Sequence, residues 1–354
     1  MEFIKYKRAA VALAAVAAVS APSAWAQSSV TLHGLVDVYT GVTKPLGGER
    51  TGFVNSGGMT TSFWGMKGQE DLGSGTKAVF TIEGFLQADN GQAGRYAGDG
   101  MFTRDAFVGL SNDRLGTLRL GRITTPLFFS TILFNPMIGS FAFSPMVMQT
   151  YMSNGRSGVH SLGQVFGDTV WDNAVAYNTP QMGGLSAMAI YGFGERAGAM
   201  GDNKWSGSVT YAAGPFTATA AYQQIRFAGA PGDLNAIAPG YRRQSAAQLG
   251  ATYDFGIVKL FAQYQHIDNA LTGGDVKSNG GQLGVSVPAG PGSILASYGY
   301  SKLSGLSDVK RNNWGVGYDY PLSKRTDLYA MYYGDRVTGL SSGYTAGVGI
   351  RTNF

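Results

Sequence analysis

The sequence predicts an all-β fold, a transmembrane antiparallel β-barrel, from three observations. Side-chain polarity alternates with a period of two, short and long connections alternate, and residues 27–354 contain no apolar run long enough for a membrane-spanning helix. In residues 244–255, for example, Leu249 and Tyr253 fall on one face, whereas Gln248 and Thr252 fall on the other. This alternation is typical of strands with one apolar and one polar face.

We predict 16 strands joined by connections of two kinds. The strands are expected at about residues 30–42, 59–69, 76–87, 101–111, 116–123, 169–178, 185–193, 203–212, 216–227, 242–254, 256–267, 279–287, 293–303, 311–320, 326–335 and 343–354. Short connections fall at 70–75, 113–116, 213–215, 288–292 and 321–325, and long ones at 43–58, 88–100, 124–167, 228–241 and 268–278. Short turns at one end and long loops at the other are expected of an outer-membrane barrel.

The amino-terminal 26 residues are predicted to be a secretory signal peptide. Basic residues open the chain, an Ala- and Val-rich run covers residues 9–19, and small residues flank Trp25. That run is shorter than the ~20 apolar residues that a spanning helix needs. We therefore expect export with cleavage after Ala26, and a single barrel domain over residues 27–354.

Composition excludes several other classes of protein. The chain has no Cys and a formal net charge of +5, and its mean hydropathy is −0.03. A disulfide scaffold and a helical membrane protein are therefore excluded, and without a basic block no nucleic-acid partner is expected. The 53 Gly, 19 Tyr and 19 Phe suit a barrel whose outer face contacts lipid and whose strand ends carry aromatic girdles.

Little in the sequence indicates catalysis or cofactor binding. His33, His160 and His266 lie in unrelated segments, and a hydrolase would need a Ser–His pair with an orienting polar group. Gly-rich runs such as residues 73–75 fall in hairpin turns, which excludes a phosphate-binding loop. No group of residues has metal-ligand spacing, so we expect no catalytic residue, no cofactor and no metal.

Several segments, in order along the chain, resemble one family. They are residues 65–78 (GMKGQEDLGSGTKA), 104–110 (RDAFVGL), 120–122 (LGR) with Pro126, 173–177 (NAVAY) with 179–180 (TP) and 183–184 (GG), 253–256 (YDFG), 322–326 (LSKRT) and 349–351 (GIR) before the terminal Phe354. Together they resemble the trimeric general porins of Gram-negative bacteria, especially the beta-proteobacterial type. Phe354 also resembles the aromatic carboxyl terminus that the outer-membrane insertion machinery recognises.

The resemblance implies a 16-stranded barrel that forms a homotrimer among membrane lipid and lipopolysaccharide. It implies a water-filled channel for small solutes and ions, narrowed by a long third loop folded into the lumen. That loop corresponds to residues 124–167, which we call the inner loop.

The resemblance also implies an arc of side chains on the barrel wall at the pore constriction. By position, the arc maps to Leu35, Phe63, Arg104 and Val170, with Arg122 near the root of the inner loop. Two of these five positions are basic, and Phe63 stands where the family motif usually has Arg. On neighbouring stretches of wall, the alternation predicts the lumen-facing side chains His33, Asp37, Lys67 and Arg351.

The inner loop departs from the family pattern because no Asp or Glu lies between Arg122 and Asp168. Apolar residues predominate instead, and the candidate constriction residues are Phe128, Phe129, Phe134, Phe141, Phe143, Met146, Met148 and Tyr151. One interpretation is that they anchor the loop to the wall or lie at a trimer contact. The other is that they line the constriction for weakly charged or aromatic solutes, since Met and aromatic side chains adapt to varied apolar ligands.

Three functional classes follow. A general diffusion porin with a weak transverse field and mild anion preference comes first. A substrate-selective porin with an aromatic and Met-rich constriction is the alternative. A barrel without a transport function, such as an anchor, an adhesin or an outer-membrane hydrolase, is the third.

Overall fold

The computed structural model describes residues 28–195, 203–227 and 240–354, so the predicted signal peptide lies outside the described residues. The strands are β1 Ser29–Lys44, β2 Thr51–Ser56, β3 Phe63–Gly73, β4 Thr76–Gln87, β5 Gln92–Ala93, β6 Ala106–Asn112, β7 Gly116–Thr124, β8 Val170–Asn178, β9 Leu185–Gly192, β10 Lys204–Ala213, β11 Phe216–Arg226, β12 Tyr241–Asp254, β13 Lys259–Leu271, β14 Gly274–Ala289, β15 Gly292–Gly305, β16 Val309–Pro321, β17 Thr326–Val337 and β18 Gly343–Asn353. The inner loop contains helices α1 Pro126–Leu133 and α2 Pro145–Tyr151 and a 3₁₀ turn, Gly158–Ser161. Among the described residues, no helix is long and apolar enough to span a membrane.

Sixteen of the described strands form a closed antiparallel barrel in which each strand pairs with its neighbours in sequence. The predicted fold is therefore confirmed. The barrel closes where β1 pairs with β18 on one side and with β3 on the other. Gly34 and Phe354 exchange two backbone hydrogen bonds, of 3.2 and 3.1 Å. A Cβ on Gly34 would lie 2.5 Å from the ring of Phe354, so the terminal ring packs on the bare backbone of β1.

Burial along the strands is the reverse of that in a soluble protein. In β12, Gln244 and Gln248 are buried, whereas Leu249 is 56% exposed and Tyr253 is also exposed. The polar face points into the barrel and the apolar face points outward, as lipid contact requires.

Two predicted connections differ from the structure. Residues 43–58 contain β2, which pairs with the carboxyl-terminal half of β1. The strand expected from residue 59 begins at Phe63. Residues 57–62 therefore form a segment inserted between β2 and β3, beside β1. Residues 268–278, expected to be a long loop, lie in a tight hairpin in which Leu271 pairs with Gly274. A two-residue turn of this kind is favoured by Gly, here Gly273.

Candidate pore constriction

The inner loop folds because its two helices begin with matched caps. Thr125 and Ser144 accept hydrogen bonds from the backbone N–H groups of Phe128 and Val147, and each helix has Pro in its first turn. Pro is favoured there because that N–H has no helical partner. Helix α1 packs on β10–β12 and α2 on β14–β16, so the loop follows the inside of that half of the barrel.

Neutral amide side chains on the inner face of the wall hold the loop in place. Gln263 donates to the carbonyl of Thr131 at 2.9 Å, and Gln282 accepts from the N–H of Met146 at 3.0 Å. Asn313 donates to the carbonyl of Pro145 at 3.1 Å. Gln244, Gln248, Gln265 and Asn269 make similar contacts with the loop. These bonds satisfy polar groups of the loop, both backbone groups and the hydroxyls of Thr131 and Thr150, that would otherwise be buried without wall partners.

One charged side chain fixes the end of α2. Arg311 donates to the carbonyls of Met148 and Met152, at 2.8 and 3.1 Å, and is paired with Asp335 at 2.7 Å. A cation at a helix carboxyl terminus interacts favourably with the helix dipole.

The turn between α1 and α2 contacts the segment inserted at residues 57–62. Ser140 donates to the carbonyl of Gly58 at 2.6 Å. The N–H groups of Gly58, Met59 and Thr60 donate to the carboxylate of Asp37 at 2.8–3.1 Å. Asp37, predicted to face the lumen, does point inward, but the inserted segment buries it completely.

Several predicted constriction residues pack on the wall and are buried. Phe134 is 2% exposed and sits over Gly250 of β12, and Phe143 lies between Tyr39 and Tyr329. Met146 is also buried, and Met148 packs on the cluster around Phe143. For these residues the structure agrees with the wall-anchoring interpretation.

Three other aromatic residues hold the two helices of the loop together. The rings of Phe128 and Phe141 are stacked with centroids 6.1 Å apart, and Tyr151 meets Phe128 edge-on at 5.4 Å. All three are half-buried.

Part of the exposed surface of the inner loop is apolar. Phe129 is 36% exposed, and Leu133 and Ile138 are more exposed still. Phe129 is among the predicted constriction residues, but Leu133 and Ile138 are not, because an apolar run in the sequence does not reveal which of its residues meet the wall.

On the opposite wall, Arg104 belongs to a network that the sequence did not reveal. Its guanidinium forms an ion pair with Glu83 and lies 4.0 Å from the ring centroid of Phe63. The second carboxylate oxygen of Glu83 contacts Nε2 of His33 at 2.7 Å. Glu83 lies on the inner face of β4, so the alternation could have located it, although not its partners.

The other predicted wall residues are placed differently. Leu35 pairs with Phe63, and both Leu35 and Val170 are buried, so neither offers much surface to the lumen. Arg122 donates to the carbonyl of Thr103 and pairs with Asp172 at 2.7 Å and with Asp168 at 3.1 Å.

Asp168 joins Arg122 to Arg95 of the preceding long loop, in a second network at the loop end of the barrel. Arg95 contacts Asp168 at 2.8 Å and Asp99 at 2.9 Å. Burial raises the pKa of Asp168, but hydrogen bonds from Arg95 and the charge of Arg122 hold it below its ordinary value.

The remaining predicted lumen residues differ in their charge partners. Arg351 is paired with Asp327 at 2.9 Å and donates to Thr60 of the inserted segment at 3.1 Å. Lys67 lines a cavity that also contains Arg119 and Phe129. In the described part of the chain, no salt bridge includes Lys67 or Arg119.

One His–Ser contact and the placement of the His and acidic side chains are relevant to catalysis and metal binding. The structure does bring His160 within 2.5 Å of Ser307, a contact that the sequence did not predict. Ser307 is only 4% exposed, which leaves it little access to a substrate. No group of three or more His, Cys, Asp or Glu in the described ranges could hold a metal ion.

A closed barrel with an apolar outer face and a loop folded into its lumen defines a channel-forming outer-membrane protein. A sequence profile of Gram-negative porins matches residues 10–340, and the chain belongs to that family. Its relatives include outer membrane porin protein 32 of Delftia acidovorans, 33% identical over 91% of this chain and 88% of the relative. An outer membrane porin protein of Bordetella pertussis is 30% identical over 96% of this chain and 98% of its own.

Solved structures agree with this assignment. The anion-selective porin from Comamonas acidovorans superposes with a TM-score of 0.76 and is 28% identical, covering 93% of this chain and 100% of its own. OmpF of Salmonella typhi shares the fold, with a TM-score of 0.65 and 17% identity over 92% of this chain and 97% of its own. The predicted family, the channel function and the outer-membrane location are thereby confirmed.

Proposed function

We propose that this porin passes small hydrophilic solutes and ions by passive diffusion, through a constriction with a weak transverse field and a mild preference for anions. The observation that carries the proposal is the pairing of Arg104 with Glu83, opposite an inner loop without acids. Opposed charged surfaces set ion preference in a narrow pore. Here the inner loop carries no acid, and the charge of Arg104 on the other surface is offset by Glu83.

Mild anion preference is supported by Lys67 and Arg119, whose charges have no acidic partner within salt-bridge distance among the described residues. It is also in keeping with the anion-selective porin from Comamonas acidovorans, which is similar along most of its length.

Liposome swelling with neutral sugars of increasing size tests the open pore. Swelling should be rapid for small sugars and fall steeply at a size cutoff. A barrel that permits no swelling with any sugar would contradict the proposal.

A substrate-selective porin is the second candidate, because Phe129, Leu133 and Ile138 present apolar surface in the lumen. Competition by candidate solutes in single-channel recordings separates the two. Solute-specific block favours selectivity, and uniform effects favour general diffusion.

We also propose the assembly expected of the family: a homotrimer in lipid and lipopolysaccharide, inserted by machinery that recognises Phe354, after removal of residues 1–26. No enzymatic activity is proposed, since the curated relatives described above are porins. Cross-linking in mild detergent should give a trimer that heat dissociates. The amino terminus of the purified protein should be Gln27.

A further inference from the structure

A cavity in the barrel combines cationic and aromatic side chains. Its wall includes Lys67 on β3, Thr81 on β4, Phe107 on β6 and Arg119 on β7, and Phe129 of the inner loop completes the lining. Lys67 pairs with Thr81 and Thr81 with Phe107, so these wall residues lie side by side on adjacent strands. The cavity is adjacent to the Arg104 network, because Glu83 lies two residues after Thr81 on the same face of β4.

Arg119 differs from the arginines of the two charge networks. Its guanidinium donates to the amide oxygen of Asn178 at 2.6 Å and lies 5.1 Å from the ring centroid of Phe107. Its Nε is buried without a hydrogen-bond partner, and its Nη2 also lies 3.9 Å from the sulfur of Met188. By contrast, Arg104 and Arg122 each have a carboxylate partner. Arg119 therefore keeps a positive charge that no carboxylate of the described residues neutralises within salt-bridge distance, and this charge can attract a mobile anion.

Two aromatic side chains, Phe107 and Phe129, line the same cavity as that charge. Phe129 is the exposed aromatic residue of α1, and Phe107 already lies against the guanidinium. The ring of an aromatic acid can pack against such a side chain, while its carboxylate accepts hydrogen bonds from the guanidinium. The nearby ammonium of Lys67 adds electrostatic attraction for the carboxylate. Hydroxyls such as that of Thr81 keep the cavity hydrated, so that a bound solute can exchange with water.

We propose that this cavity is a transient binding subsite for aromatic monocarboxylates, with Arg119 holding the carboxylate and Phe129 the ring. The proposal rests on the pore function above and names a solute class for it. Binding is weak enough for passage, since conduction requires that a bound solute also leaves.

The test measures KCl current through the reconstituted porin while benzoate, cyclohexanecarboxylate or acetate is added. Benzoate should reduce the current at about threefold lower concentration than cyclohexanecarboxylate, as expected for one aromatic contact. Acetate should be the weakest. F129L should bring benzoate to the level of cyclohexanecarboxylate and leave acetate unchanged, and R119Q should weaken all three.

Matched controls are F255L, in an exposed turn, and R336Q, on the exposed side of β17; both residues lie outside the cavity. They should leave the order of the three carboxylates unchanged, and heat-dependent gel migration confirms that each variant is folded. Equal potency of benzoate and cyclohexanecarboxylate in the wild type, or an F129L variant that keeps the difference, would overturn the subsite while leaving the pore intact. Absence of any KCl current would overturn both the pore and the subsite.

Discussion

The hydroxyl of Tyr329 on β17 donates a hydrogen bond to the carboxylate of Asp37 on β1, two strands away around the barrel. The same carboxylate accepts three N–H groups of the inserted segment, whose Gly58 carbonyl accepts from Ser140. Asp37 therefore connects the barrel wall to the turn of the inner loop and helps to set where that loop lies.

Replacing Asp37 by Asn tests this connection. The side-chain amide of Asn would place its own N–H donors against the backbone N–H groups of the inserted segment, which then lose an acceptor. The free energy of unfolding should therefore fall by about 2–4 kcal/mol. Open-channel current noise should also rise as the loop turn loosens. Urea unfolding in micelles and single-channel recording measure the two effects. D254N is the control, because exposed Asp254 accepts a hydrogen bond only within a turn. A D37N variant whose current noise and stability equal those of D254N would rule out the connection.

The packing of Phe134 against Gly250 of β12 gives a second prediction. A Cβ at Gly250 would lie 2.7 Å from Cγ of Phe134, so G250A must displace the ring and the start of the α1–α2 turn. We expect a loss of about 1–3 kcal/mol and a changed single-channel conductance. In G207A the new Cβ would meet nothing closer than 3.5 Å, so this variant should behave as wild type. Unchanged conductance and stability in G250A would contradict the described packing.

Removing the acid beside Arg104 should change ion preference. E83Q leaves the guanidinium without a carboxylate, and we expect the anion-to-cation permeability ratio to rise about twofold. R104Q should lower the ratio. The control is E70Q, because exposed Glu70 points to the opposite face of β3 from Lys67. Zero-current potentials give all four ratios, and a ratio in E83Q equal to that of E70Q would show that Glu83 does not offset Arg104.

The network around Asp168 predicts a pH dependence. Its pKa in the folded protein is depressed from 3.8, so the stabilisation is present above that pH and is lost as the pH falls through the lower, folded value. D168N should reduce stability by about 1–2 kcal/mol at neutral pH. The difference between the two proteins should shrink below pH 3.8. Thermal dissociation measured across this range gives the comparison, and a difference that grows in acid would contradict the assignment.

The barrel could be predicted from sequence because a two-residue alternation reports directly which face of a strand meets lipid. Leu249 and Gln248 illustrate this, and the predicted strand number is confirmed. The segment at residues 57–62 was missed because its conformation depends on Asp37, a residue 20 or more positions earlier in the chain. Local patterns do not encode such partners.

The constriction could be predicted only in outline. The absence of acids from the inner loop is visible in the sequence, but the pairing of Arg104 with Glu83 joins residues on different elements. The apolar residues of the loop looked equivalent, yet Phe134 is buried on the wall while Phe129 is exposed. Which aromatic residue is buried depends on how the loop packs against β12. The sequence pattern of an eight-residue helix does not predict that packing.

The most direct test of the central claim is the zero-current potential of the wild-type porin in planar bilayers under a KCl gradient. An inner loop without acids, facing a wall on which Arg104 and Arg122 are paired with carboxylates, predicts a small potential of the anion-selective sign, with a permeability ratio of about two. A large potential of the cation-selective sign would contradict this description of the constriction.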